Sequence, residues 1–301
     1  MPLVSAICLS HPSRFGNLQR AVTSFKRQSL PLDCRELVIA VSDPDYFLKV
    51  STWLSSTFNC DTAGFIQVIQ PGDNASPDKL AAAAFRETRG DFIAAWSDDH
   101  VSHVDRLEYQ LAQTTEKVAT VLSRGLFHFY ETDELFVADT LHPGLDCATK
   151  CIASSLVCPR DLFLASAVLN TGRFEHWPSV LVREWAKRLP YQPYVHVGGA
   201  KLPLYMSCST GDNLNGAAAL RARGTSYPGV WSSAKVMEHA EDLDMHLAGF
   251  GFDSTSVALQ GKDVSACVVS GDHLFVWPSS FESPLAPERL DLRLPKTLES
   301  A

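Results

Sequence analysis

Residues 90–100 read GDFIAAWSDDH and are the segment most informative about the fold. Residues 91–96 form a short, mostly apolar run of the length expected of a buried strand. A polar tetrapeptide, residues 97–100, follows directly and contains the adjacent acids Asp98 and Asp99. Carboxylates just beyond a buried strand indicate either a ligand site at its carboxyl end or a solvated turn.

On either side of this segment, apolar runs alternate with segments of helical spacing. The strands are predicted at 4–9, 36–41, 64–69 and 91–96, and the helices at 17–28, 46–58, 77–88 and 105–114. This alternation predicts βαβ units and a mostly parallel sheet flanked by helices. Polar clusters at 10–14, 42–45 and 97–100 follow three of the strands, so we expect them to meet at one edge of the sheet.

Beyond residue 115 the pattern is less regular, because glycine, proline and aromatic residues are frequent up to residue 229. A helix is predicted at 233–247 and short strands at 264–269 and 274–277. Residues 127–130 also favour a core strand over an aromatic sugar cleft. The proline-rich segment after Pro278 is expected to be extended or loosely packed.

Composition limits the classes of function. The formal net charge of −8 argues weakly against a nucleic acid as the main partner. No stretch reaches the roughly 18–20 apolar residues that span a bilayer. The first residues also lack a basic segment followed by a long apolar run. We therefore expect a soluble, cytoplasmic protein without an integral membrane segment.

The eight cysteines are scattered, which favours reduced thiols over a disulfide framework. Cys147, Cys151 and Cys158 do cluster near His142, which leaves a zinc site open as the less favoured alternative. Their spacing matches no standard zinc motif.

The acid pair suits one chemistry in particular. Transfer from a nucleotide diphosphate leaves charge on the departing diphosphate, and a bound Mn²⁺ or Mg²⁺ offsets that charge. Such hard cations take oxygen ligands, commonly one or two carboxylates beside substrate phosphates. Asp98 and Asp99 would then supply one direct ligand and one contact to a ribose or a metal-bound water.

Residues 90–100, followed by Asp105, Arg106 and Leu107, resemble GT-A glycosyltransferases of the family-two type. The spore-coat polysaccharide glycosyltransferase type is particularly similar. The segments 4–14 and 37–43 resemble that family's first two strands and their loops, and residues 240–247 resemble its Glu-Asp helix.

The resemblance implies an α/β, GT-A (Rossmann-like) fold with a mostly parallel sheet flanked by helices and a less regular acceptor-binding half. We expect a single domain over residues 1–285. Its nucleotide-sugar-binding half is 1–115 and its acceptor-binding, catalytic-base half is 116–285, followed by a C-terminal tail at 286–301.

The resemblance also implies roles for individual residues. Asp99 is expected to hold the metal with Asp98, and Asp242 to be the catalytic base, with Glu241 as the competing choice. His273 is a candidate third metal ligand. The expected donor-binding residues are Ser10, Arg14, Asp43, Asp73, Lys79 and Asp98.

A nucleotide-sugar donor follows from these assignments, with a UDP-sugar as the first choice. The acceptor stays open among a saccharide, a lipid, a protein, a metabolite and a modified nucleobase. Two alternatives remain: a retaining transferase or sugar-phosphate nucleotidyltransferase on the same fold, and a non-catalytic GT-A-like module that binds a nucleotide or a partner protein. The second is motivated by residues 81–83, which are alanines where the family carries a basic residue.

Overall fold

The computed structural model describes residues 3–58, 65–129, 134–139, 152–165, 178–179, 181–182, 185, 194–197, 204–209, 264–270, 273–278 and 288–291. Within them, the helices are α1 (Phe15–Lys26), α2 (Pro44–Thr57), α3 (Pro77–Glu87), α4 (Arg106–Leu111) and α5 (Arg160–Leu164). The strands are β1 (Val4–Leu9), β2 (Arg35–Ala40), β3 (Ile66–Ile69), β4 (Phe92–Ala95), β5 (His100–Ser102), β6 (Ala119–Leu122), β7 (Arg124–Phe129), β8 (Glu134–Asp139), β9 (Ile152–Pro159), β10 (Tyr194–Val197), β11 (Tyr205–Ser209), β12 (Val264–Ser270), β13 (His273–Pro278) and β14 (Glu288–Asp291).

The main sheet has seven strands in the order β10-β6-β9-β4-β1-β2-β3. Neighbouring strands pair in parallel, except that β9 runs antiparallel to both β4 and β6. The predicted α/β class with a mostly parallel sheet is therefore confirmed. The predicted strands β1 to β4 and helices α1 to α4 are also confirmed, with ends that differ from the predictions by a few residues.

Both faces of this sheet are covered, which explains why its strands read as nearly continuous apolar runs. In β1, Val4, Ala6 and Cys8 pack on the face of α1 and α2, whereas Ile7 packs on the face of α3 and α5. The same alternation runs through β2 and β4. The sheet is thus held between two apolar layers.

Helix caps fix where two of these helices begin. Asp43 accepts a hydrogen bond from the Tyr46 backbone N–H at 2.6 Å, and Pro44 occupies the first turn of α2. Ser76 caps α3 in the same way, ahead of Pro77. The alanine-rich centre of α3 then packs Ala81 and Ala84 against the sheet.

Gly90, at the amino end of β4, lies close against the backbone of residues 3–5. A Cβ at this position would lie 2.6 Å from Ser5 Oγ and 2.7 Å from Leu3 O. The Gly90 N–H donates to Ser5 Oγ, and Ser5 in turn donates to the buried Glu36 carboxylate, which also accepts from Arg89. A residue without a side chain is required here.

A second sheet has the order β5-β11-β7-β8. Strand β5 begins at His100, immediately after the acid pair, and pairs antiparallel with β11. The sequence predicted neither β5 nor this pairing, but β7 confirms the strand expected at 127–130 up to Phe129.

A third, three-stranded sheet contains β12, β13 and β14. Strands β12 and β13 confirm the two short strands predicted at 264–269 and 274–277. Strand β14 pairs antiparallel with β13, so residues 288–291 are extended and belong to a sheet. The helix predicted at 233–247 lies outside the described residues.

Candidate active site

The acid pair is placed by the end of β4. The Trp96 backbone N–H still donates to Ile7 O at 3.0 Å, which keeps the chain beside β1 up to that residue. The Trp96 indole is buried, stacks edge-on against Phe25 and donates to Ala21 O in α1. Because Trp96 is anchored on both sides, the three residues that follow turn away at a fixed point on the carboxyl edge of the sheet.

The loop after β1 approaches the same point. A short 3₁₀ turn, Pro12–Arg14, leads into α1 and directs Arg14 toward the acids. Arg14 Nη1 lies 3.1 Å from Asp98 Oδ1 and 3.6 Å from Asp99 Oδ2. The His11 backbone N–H donates to Asp98 Oδ2 at 3.4 Å. Two of the predicted polar clusters therefore meet at one edge of the sheet.

Asp98 is almost completely buried, with 1% of its side chain exposed. Burial and the neighbouring Asp99 carboxylate raise the pKa of Asp98 to about 6, although Arg14 and Ser10 act in the opposite direction. The charged form is thus disfavoured by its surroundings unless a cation compensates it.

Asp99 is more accessible and behaves differently. Burial opposes its ionisation, but His100, the Ser97 hydroxyl and Arg14 outweigh burial and lower the pKa of Asp99. Ser97 Oγ donates to Asp99 Oδ1, and His100 Nε2 lies 3.3 Å from the same oxygen. Asp99 is therefore the member of the pair that the site keeps as a carboxylate.

A chain of polar contacts extends from Asp99 into the second sheet. His100 Nδ1 is hydrogen-bonded to Tyr205 Oη, which is also bonded to Ser154 Oγ. The His100 and Tyr205 rings are 4.7 Å apart between centroids. Sequence reasoning missed these contacts. Tyr205 lies 105 residues after His100 in the chain, and no local pattern reports a pairing at that distance.

Beneath the acids lies Arg106, a buried arginine that is 1% exposed. It donates to Ala95 O, Ser102 Oγ and Gln110 Oε1. Its guanidinium also lies over the rings of Trp96 and Tyr205, at 5.1 Å and 5.4 Å. Burial lowers the pKa of Arg106 to about 10, which leaves it charged at neutral pH. Arg106 thus connects β4, β5 and β11 below the acid pair.

The other predicted donor-binding residues lie at different distances from the acids. Ser10 Oγ is bonded to Tyr46 Oη at 2.9 Å and also contacts Asp98, so Ser10 is part of the site. Asp43 is one step removed, because it caps the helix that carries Tyr46.

Asp73 and Lys79 are exposed on the β3–α3 side of the sheet. Asp73 accepts a hydrogen bond from Gln70 Nε2 at 2.8 Å, and Lys79 lies in the first turn of α3. The loop that carries Asp73 is close to the end of β2, because the Asn74 N–H donates to Ser42 O at 3.1 Å.

Several predicted residues cannot be placed at this site. Glu241 and Asp242 lie outside the described residues, as do His142, Cys147 and Cys151. His273 begins β13, where it pairs with Asp291 in backbone register. Cys8, Cys34 and Cys158 are buried free thiols, as expected.

The two acids fit a hard divalent cation. Their oxygens converge on one point, because the positively charged Arg14 nitrogen already lies within 3.6 Å of both carboxylates. Within the described part of the chain, no group of three or more His, Cys, Asp and Glu side chains forms a complete ligand set. Two carboxylates completed by substrate phosphates and water are the usual environment of Mg²⁺ or Mn²⁺.

Comparison with known proteins first identifies the class of fold. No protein-family model matches the chain, and no curated protein matches it at a significant level. Solved structures do match, and the α/β fold of this chain, with its mostly parallel sheet flanked by helices, is shared with glycosyltransferase structures.

One of these structures is TarS 1–349 of S. aureus in complex with UDP. It is 12% identical, with a TM-score of 0.50 over 69% of this chain and 60% of that chain. Another is the mannosyltransferase PcManGT from Pyrobaculum calidifontis in complex with GDP-Man and Mn²⁺. It is 13% identical, with a TM-score of 0.47 over 74% of this chain and 61% of that chain. This chain therefore spans about three fifths of the TarS 1–349 structure.

No helix in the described ranges combines the length and the apolar character needed to cross a bilayer.

Proposed function

We propose that this chain is a metal-dependent glycosyltransferase that moves a sugar from a nucleotide-diphosphate sugar to an acceptor hydroxyl. The observation that carries the proposal is the convergence of Asp98, Asp99 and Arg14 at the carboxyl edge of the parallel sheet. This edge is where α/β sheets bind their ligands. A carboxylate pair beside a cationic side chain suits a metal and a diphosphate together.

Each of the three side chains has a distinct proposed role. Asp99, the more accessible acid with the lowered pKa, holds the Mn²⁺ or Mg²⁺. Asp98 contacts the nucleotide and supports the cation, because a nearby positive charge favours its ionised form. Arg14 contacts the diphosphate. When bound, the metal would offset the charge that develops on the leaving diphosphate.

The remaining donor contacts follow the same edge. Ser10 lies beside Asp98, and Asp43, Asp73 and Lys79 surround the ends of β2 and β3, where we place the nucleoside. UDP-sugars are the first donors to test, because the TarS structure that shares this fold holds UDP. His273 remains a candidate third ligand to the metal.

The acceptor half supplies the second part of the reaction. We assign Asp242, with Glu241 as the competing residue, as the base that takes the proton of the acceptor hydroxyl, which gives inversion at the anomeric carbon. A retaining transferase or a sugar-phosphate nucleotidyltransferase is the alternative on the same site. Release of pyrophosphate in place of a nucleoside diphosphate would identify the latter.

The proposal is tested by comparing two acid-to-amide variants. The 301-residue chain is incubated with Mn²⁺ and a panel of UDP- and GDP-sugars, and release of nucleoside diphosphate is measured with and without candidate acceptors. We expect Asp99→Asn to lower the rate at least about 100-fold. Asp33→Asn should leave it unchanged, because Asp33 is exposed at the opposite edge of the sheet. Equal rates in Asp99→Asn and the wild type would refute the proposed site.

A non-catalytic role has a separate signature. The alanines at 81–83 of α3, where related enzymes carry a basic residue, are the feature that favours it. Calorimetry with UDP and Mn²⁺ would then show binding without turnover of any donor in the panel.

A further inference from the structure

The contacts behind Asp99 form a continuous series across two sheets. Asp99 Oδ1 faces His100 Nε2, His100 Nδ1 is bonded to Tyr205 Oη, and Tyr205 Oη is bonded to Ser154 Oγ. Tyr205 is completely buried, and it is held in place by the β5–β11 pairing, in which it lies opposite Ser102. The series therefore runs from the acid pair into the second half of the chain.

Hydrogen-bond chemistry fixes the direction of this series. An ionised carboxylate can only accept, so a hydrogen bond across the 3.3 Å between His100 Nε2 and Asp99 Oδ1 requires the proton on Nε2. In a neutral imidazole the other nitrogen is then an acceptor, so the Tyr205 hydroxyl donates to His100 Nδ1. Tyr205 Oη in turn accepts from the Ser154 hydroxyl. With a neutral His100, every hydrogen of the series then points toward Asp99.

The two carboxylate oxygens of Asp99 therefore have different contacts. Oδ1 faces His100 and accepts from Ser97. Oδ2 lies on the side of Arg14, which also faces Asp98. The carboxylate is thus turned so that one oxygen is held by the protein and the other faces the point where a cation would lie.

We propose that His100 and Tyr205 are positioning residues that fix Asp99 so that it binds the divalent cation through Oδ2. This inference rests on the proposed function, because it specifies how the same acid binds its metal. Hydrogen-bonded partners behind a ligand orient it, and their loss typically weakens metal binding about 10–100-fold. Neither residue was assigned a role by its sequence context.

The test measures Mn²⁺ binding directly, by electron paramagnetic resonance of free Mn²⁺ with the 301-residue chain and saturating UDP. Tyr205→Phe removes only the hydroxyl and keeps the ring beneath Arg106. We expect its Mn²⁺ dissociation constant to rise about tenfold. Tyr109→Phe is the matched control, because Tyr109 packs against the same small apolar cluster as Tyr205. The control should bind Mn²⁺ as the wild type does.

A second pair of variants applies if Tyr205→Phe does not fold. His100→Gln keeps an N–H donor next to Asp99, whereas His100→Leu removes it. We expect His100→Gln to retain more of the wild-type Mn²⁺ affinity than His100→Leu. A purely structural role would instead lower the melting temperature of both variants and leave their Mn²⁺ affinities equal.

The outcomes separate this inference from the proposed function. Wild-type affinity in both Tyr205→Phe and His100→Leu would overturn the inference and leave the metal site standing. No Mn²⁺ binding by the wild type would overturn the metal site itself and the inference with it. Weaker binding in Tyr205→Phe but not in Tyr109→Phe would support it.

Discussion

Arg14 Nη1 lies 3.1 Å from Asp98 Oδ1, so the loop after β1 supplies a cationic group to the buried acid. The same nitrogen is 3.6 Å from Asp99 Oδ2. In the absence of a metal, Arg14 is thus a counter-ion for the acid pair. A divalent cation that enters between the two acids must compete with Arg14 for the same oxygens, whereas a diphosphate gives the guanidinium a new partner.

This competition predicts opposite effects of Arg14→Gln on two ligands. Mn²⁺ alone should bind roughly tenfold more tightly, because a positive charge beside its site has been removed. UDP in the presence of Mn²⁺ should bind roughly tenfold more weakly, because the diphosphate has lost its guanidinium. Calorimetry measures both constants, and Arg20→Gln, on the outer surface of α1, is the control. Parallel changes in the two affinities would contradict the dual role.

The raised pKa of Asp98 predicts how the stability of the protein depends on pH. Between the ordinary carboxyl pKa of 3.8 and the value of about 6 in the folded state, the folded protein holds a proton that the unfolded chain releases. Asp98 therefore makes the free energy of unfolding fall as pH rises through this window. A shift of about two units corresponds to about 3 kcal/mol at neutral pH.

Asp98→Asn removes this dependence. We expect the stability of the variant relative to the wild type to increase by up to about 3 kcal/mol between pH 4 and pH 7.5. Urea denaturation at both pH values measures the change, with Asp33→Asn as the reference. A stability difference that is the same at the two pH values would show that Asp98 titrates normally.

Gly90 gives a prediction about packing alone. In Gly90→Ala the new Cβ would collide with Leu3 O and with Ser5, which are backbone and core atoms that cannot move away cheaply. We expect a loss of about 2–4 kcal/mol in the free energy of unfolding. Gly16→Ala is the control, because a Cβ there meets nothing within 4 Å and α1 tolerates alanine. Equal stabilities of the two variants would show that residues 3–5 leave room for a Cβ at position 90.

Arg106→Lys tests the support beneath the acids. Lysine cannot reproduce the three separate hydrogen bonds to Ala95 O, Ser102 Oγ and Gln110 Oε1, so buried acceptors lose their partners. We expect a loss of about 2–4 kcal/mol in stability, measured by chemical denaturation. Arg86→Lys, on the exposed side of α3, should change it by less than about 0.5 kcal/mol. If Arg106→Lys is as stable as the wild type, one ammonium group is sufficient for the hydrogen-bond acceptors that surround Arg106.

The first half of the fold was predictable because its signals are local. Strand β4 is an apolar run of a few residues, and the acids come directly after it. Ser10 and Asp43 follow β1 and β2 in the same way, so sheet topology alone brings Ser10 and Asp98 together. Asp43 also shows the limit of such reasoning, since its observed contact is a helix cap.

The second half depends on pairings that leave no local pattern. The contact between His100 and Tyr205 requires that β5 and β11, about a hundred residues apart, align in one register. Strand β9 likewise enters the main sheet between β4 and β6 in the antiparallel direction. Its sequence, two serines followed by a short apolar run, predicted no strand. Burial can be inferred from such a run, but its neighbours cannot.

The position of β9 determines whether the first half of the chain can be transferred to another protein. In a fragment that stops near residue 115, β4 would become an edge strand with unpaired backbone N–H and C=O groups. Such an exposed edge promotes aggregation. It would also strip Leu156 and Cys158 from the apolar layer beneath α3. We therefore expect that the donor half cannot be transferred by itself. Chimeras with similar proteins should exchange loops and retain β9.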